Sequence, residues 1–124
     1  MSVCRRPAAA VAILGLMGAA TPALAFEANF TWCSGSPVFT LKDVPKGTAK
    51  IQLRMRDLQA PSFRHGGGEV AYTGKATIPC GALDSGYVGP SPPSGSHTYV
   101  WTIRALGPDG KTLAETSAQR RFPE

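Results

Sequence analysis

The chain has 124 residues, a formal net charge of +5, 43% hydrophobic residues and 17% charged residues. That is enough for one compact domain with a modest core. Its basic residues are spread out, with no Lys/Arg run interleaved with aromatics, which argues against a nucleic-acid partner. Arg5 and Arg6 are followed by a short apolar run, Ala8 to Ala20, and then by Ala23-Leu24-Ala25. A basic start, an apolar run shorter than the ~20 residues that span a bilayer and an Ala-x-Ala site read as a secretory leader over residues 1–25. The expected product is one exported, periplasmic or secreted domain over residues 26–124, with no membrane span. The export route stays open.

Without the leader the net charge falls to +3, and of three cysteines only Cys33 and Cys80 remain. An even pair in an exported domain reads as a disulfide, which closes a long loop and adds about 4 kcal/mol in the chain-entropy model. Neither cysteine has a further His or Cys beside it, so the pair makes a poor zinc site and no metal or cofactor is expected.

The exported part reads as short strands. Ala28, Phe30 and Trp32 alternate with Asn29 and Thr31, and Val38 to Leu41 is a second strand that ends before the turn Pro45-Lys46-Gly47. Thr48 to Arg56 alternates most clearly, with Ala49, Ile51, Leu53 and Met55 on one face. One further step puts Asp57 on that apolar face, where a carboxylate is hydrogen-bonded, paired or at a pocket mouth. The alternative is a turn residue capping Leu58-Gln59-Ala60-Pro61, and parity leaves the two even. Ser62 to Gly68 reads as a flexible glycine loop, Glu69 to Tyr72 and Lys75 to Ile78 as short strands around Thr73-Gly74, and Lys111 to Phe122 as the last strand. No amphipathic helix is found in this part, and the fold class expected is an all-β, small antiparallel sandwich.

Between these strands lies Gly86 to Leu106. Gly89, Pro90, Pro92, Pro93 and Gly95 make a stiff loop, which runs into an aromatic and β-branched strand. On that strand His97, Tyr99, Trp101, Ile103 and Ala105 share a face, apolar except at its start. A stiff loop beside two polar groups entering a core face is one way to build a ligand pocket. A packed, hydrogen-bonded histidine and a structural tyrosine are the other reading of the same spacing.

The pattern Gly-Pro-x-Pro-Pro-x-Gly-x-His-x-Tyr-Val-Trp at Gly89 to Trp101 resembles the signature of the phosphatidylethanolamine-binding protein family, including its bacterial Raf-kinase-inhibitor-like branch. Asp57-Leu58-Gln59-Ala60-Pro61 is similar to that family's Asp-Pro-Asp-Ala-Pro segment. The resemblance covers roughly Ser36 to Leu106. It implies a truncated version of the family's β core with an anion pocket for phosphate-containing ligands. Asp57, Gly89, Pro90, His97 and Tyr99 match motif positions there, and His65 lies where the family has a Trp-His segment. If the two core strands run antiparallel in one sheet, Asp57, His97 and Tyr99 meet at one rim. Gln59 replaces the family's second aspartate, glycines replace the aromatic neighbours of His65, and longer relatives continue past the position of Glu124 with helical material that helps enclose the site.

His65-Gly66-Gly67-Gly68 also has the letters of an esterase oxyanion loop. No Gly-x-Ser-x-Gly elbow accompanies it, since Ser91 and Ser94 sit among prolines, so the chain is not read as an enzyme. Two functions remain: a binding module for a small phosphate-bearing ligand or phospholipid headgroup, and a protein-interaction or inhibitor sandwich without a small ligand. The leader is tested by N-terminal sequencing of the exported protein, which should begin at Phe26. Soluble cytoplasmic protein that retains Met1 would refute it.

Overall fold

The computed structural model describes residues 24–124. The expected leader therefore lies outside the described residues, except for Leu24 and Ala25. Seven strands form two antiparallel sheets, with no helix among the described residues. They are β1 (Glu27–Thr31), β2 (Val38–Lys42), β3 (Lys50–Asp57), β4 (Gly67–Ala71), β5 (Thr77–Ile78), β6 (His97–Leu106) and β7 (Thr112–Phe122). The sheet orders are β1-β2-β5 and β4-β3-β6-β7. The chain is thus all-β and sandwich-like, as the alternation predicts.

The inward residues of the two sheets make one core. Phe30, Phe39, Leu41 and Ile78 come from the smaller sheet, and Ile51, Leu53, Met55, Trp101, Ile103 and Ala105 from the larger. Trp101 joins them, because its ring meets Phe39 edge-on at 4.9 Å between centroids and Phe30 at 6.5 Å. Edge-to-face pairs of this kind add to the apolar burial that drives the sheets together. β1 and β7 close one side of the sandwich through side chains. Trp32 Nε1 donates to the Arg121 carbonyl at 2.8 Å, and Arg120 Nε donates to the Phe30 carbonyl.

Two expectations change. The glycine segment is not a flexible loop, because Gly67 and Gly68 open β4 and pair with Arg54 and Leu53 of β3. Here glycine is required by close approach: at Gly67, φ is 147°, and a Cβ would fall 1.9 Å from the Leu53 carbonyl oxygen. The second strand expected around Thr73-Gly74 shrinks to Thr77–Ile78 and belongs to the other sheet, pairing with β2. The chain crosses between the sheets there instead of turning back as a hairpin.

Cys33 and Cys80 are bonded, 47 residues apart in sequence. The loops they join are also laced by hydrogen bonds. Ser36 Oγ accepts from Leu83 N–H at 2.9 Å, and Gly81 N–H donates to the Ser36 carbonyl at 2.8 Å. Replacing both cysteines with serine should lower unfolding free energy by about 4 kcal/mol, the loop-closure value. Denaturant titration checks this, and an unchanged midpoint would show that the lacing alone holds these loops.

Candidate functional site

β3 and β6 run antiparallel, with Asp57 directly opposite Tyr99. Strand parity turns both inward, beside Met55 and Trp101. Asp57 is 3% exposed and Tyr99 1%. His97, two residues earlier on β6, reaches the same carboxylate, and Nδ1 donates to Asp57 Oδ2 at 2.6 Å. The other oxygen, Oδ1, accepts from Gln59 N–H at 2.9 Å and Ala60 N–H at 3.2 Å. The two readings of Asp57 are therefore both realised, because one oxygen caps the turn and the other holds an imidazole. Gln59 pins that turn to β6, its Oε1 accepting from Thr98 N–H at 2.7 Å.

His65 arrives from the segment before β4 and is 4% exposed. Its backbone is strapped to the loop that precedes β6. Val88 N–H donates to the His65 carbonyl at 2.8 Å, and Gly67 N–H to that of Gly86 at 2.9 Å. The ring answers with its own bond, Nδ1 donating to the Val88 carbonyl at 2.7 Å. A carbonyl only accepts, so Nδ1 carries the proton. Each histidine thus has Nδ1 fixed by an oxygen, and no hydrogen bond to Nε2 occurs among the described residues.

Asp57, His65, Gly89, His97 and Tyr99 line one cavity of about 370 Å³. Pro92 and Pro93 close it from the stiff loop, with Ser91 beside them. Pro90 is the exception among the motif residues, because it lines a neighbouring cleft on the other side of Gly89. Sequence reasoning missed Phe63 and Val88, which also line the cavity. Phe63 packs on His65 at 4.6 Å between ring centroids. It gives the His65 ring an aromatic neighbour. An aromatic two residues before a histidine was the available signal.

The electrostatics follow from these partners. Burial pushes the Asp57 carboxyl up. The hydrogen bond from His97, the Gln59 amide, the imidazole's charge and the Ala60 amide together outweigh it and hold the carboxyl below its ordinary range. Tyr99 is pushed up, first by burial and then by the neighbouring Asp57 charge and hydrogen bond, with a bond to the Ser91 backbone working the other way. Its phenol therefore remains a neutral donor at physiological pH. Among the described residues no group of three His, Cys, Asp or Glu side chains could hold a metal ion. Nor is any helix there long and apolar enough to cross a membrane.

The chain matches no family model and no curated protein.

A depressed folded-state pKa fixes the sign of one prediction. Asp57 contributes stability above its unfolded-state pKa, and that contribution is lost as pH falls through the lower folded value. Asp57→Asn should therefore destabilise the domain near neutral pH and leave the difference from the native protein shrinking below about pH 4. Thermal melts across this range check it, and a difference that stays constant to low pH would contradict it.

Proposed function

We propose that the cavity at the β3–β6 rim reversibly binds a small anion, the phosphate group of an organic ester. The observation that carries this reading is the paired histidine geometry, in which both Nδ1 atoms are fixed and both Nε2 atoms are left for a ligand beside the Tyr99 phenol. With its proton on Nδ1, a neutral imidazole accepts at Nε2 the hydrogen bond of a singly charged phosphate's hydroxyl, while an imidazolium and the Tyr99 phenol donate to phosphoryl oxygens. The resemblance to the phosphatidylethanolamine-binding protein signature supports the same ligand class, and with it a kinship of the fold to that family's β core. Phe63 and Val88 are 52% and 51% exposed at the cavity mouth. Such an apolar collar suits an ester's organic part better than free inorganic phosphate. The Cys33–Cys80 disulfide supports placing this binding module in an exported compartment.

A second reading is favoured by one observation. Leu58, 40% exposed, adds to Phe63 and Val88 as exposed apolar surface, and a protein partner could cover them. The readings separate in one experiment. Imidazole resonances of His97 and His65 should move on titration with glycerol phosphate, and less with inorganic phosphate. His97→Ala should weaken binding by about ten- to hundredfold, the loss of a charge-assisted hydrogen bond. Tyr99→Phe should cost less, since it removes a neutral donor and keeps the ring. A folded domain whose histidines ignore glycerol phosphate at millimolar concentration would sink the ligand reading and leave the protein-partner one.

A further inference from the structure

Across Gly89 from this cavity lies a second cleft, of about 400 Å³. Its lining is of a different kind. Three half-buried aromatic side chains, Trp32, Tyr87 and Phe122, border it together with the carboxylate of Asp84. We infer that this cleft is a separate binding site for a small organic cation of the alkylammonium class.

The rings are fixed in place. Trp32 meets Phe122 edge-on at 5.4 Å and 74° between planes, and its Nε1 is tied to the Arg121 carbonyl. Tyr87 rests on the core ring of Trp101 at 5.6 Å. The carboxylate is fixed as well. One oxygen of Asp84 accepts from Ser36 N–H at 2.7 Å. Backbone packs closely on it from two sides: a Cβ at Gly35 would lie 2.8 and 2.9 Å from the two carboxylate oxygens, and one at Gly81 3.0 Å from Oδ2. The Cys33–Cys80 bond holds these two loops together. The site is thus built before any ligand arrives, which lowers the ordering cost of binding.

Charge then selects the ligand. All eight carboxylate residues of the chain lie within the described part. Five of them, Glu27, Asp57, Glu69, Glu115 and Glu124, have a cationic or imidazole partner. Asp109 is used in a turn, accepting from Lys111 N–H. Asp43 and Asp84 have no basic partner within 4.0 Å among the described residues, although the chain is rich in Lys and Arg, and of these two only Asp84 lines the aromatic cleft. Its charge reaches the aromatic wall: the Tyr87 phenol is pushed up to about 12, first by burial and next by Asp84. Aromatic faces attract cations, and a carboxylate beside them supplies the counter-charge. A hard metal ion would need several oxygen ligands, and this lining offers one carboxylate. An alkylammonium presents the diffuse charge and methyl surface that rings and one carboxylate accommodate.

The test uses the full chain and follows the indole N–H resonances, with fully buried Trp101 as the internal control. Choline and tetramethylammonium should move the Trp32 resonance. The neutral isostere 3,3-dimethyl-1-butanol should need at least about tenfold higher concentration. Asp84→Asn, which keeps an oxygen for Ser36 N–H, should weaken choline about tenfold and leave the neutral alcohol unchanged. Phe122→Leu should weaken choline severalfold, which keeps the test open if the Asp84 variant folds poorly. In both variants the His97 response to glycerol phosphate should persist, so failure here is distinct from failure of the anion site. Equal affinity for choline and its neutral isostere would overturn the inference. So would choline binding unaffected by Asp84→Asn, or a Trp32 resonance that stays still at tens of millimolar choline.

Discussion

The arrangement of side chains at the β3–β6 rim depends on the hydrogen bond between Asp57 and His97. The carboxylate is buried at a strand end, where an unpartnered charge would cost several kcal/mol. It is tolerated because three neighbours share it: the His97 ring and the Gln59 and Ala60 amides. Each partner is ordered in return. The two amides shape the turn after β3, and that turn is stapled to β6 by Leu58 N–H and Gln59 Oε1. Fixing His97 Nδ1 aims its other nitrogen away from the carboxylate. One buried charge thus sets the strand end, the turn and the ring together.

Register makes this possible. β3 and β6 pair over eight residues, and the same pairing that sets Leu53 against Ile103 in the core sets Asp57 against Tyr99 at the rim. A slip of one residue would turn Ile51, Leu53, Met55 and Asp57 to the outside at once. Core packing and site geometry are therefore one constraint. Apolar burial along the middle of the two strands supplies the driving force, and the polar cluster at their ends is carried into place by it.

This coupling explains what could be read from the sequence. The alternation Ile51, Leu53, Met55, Asp57 and the alternation His97, Tyr99, Trp101 were each visible as parity, and the cysteine pair as a count. The glycines that open β4, Gly67 and Gly68, were not legible as strand, since glycine has poor strand propensity and the need for it at Gly67 arises from contact with the Leu53 carbonyl. β5 failed for a similar reason: its partner β2 is far away in sequence, and local pattern cannot say which sheet a two-residue strand joins. Pro90 was assigned with Gly89 because they are adjacent in the motif. Adjacency says nothing about which side of a loop a ring takes.

That last point bears on how the two clefts coexist. Between Tyr87 and Ser91 the chain is irregular loop, and its side chains divide between the two cavities without the strict alternation of a strand. Tyr87 and Pro90 line the aromatic cleft, Val88 and Ser91 line the histidine cavity, and Gly89, without a side chain, borders both. At Gly89 the wall between them is one chain thick. It does not flap, because it is strapped on one side by the bonds of Val88 and Gly86 to His65 and Gly67, and stiffened on the other by Pro90, Pro92 and Pro93. Its upstream end is anchored through Asp84 and the Cys80 bond. A thin, stiff wall lets one short segment serve two chemically opposite surfaces, donors on one side and a carboxylate with aromatic faces on the other.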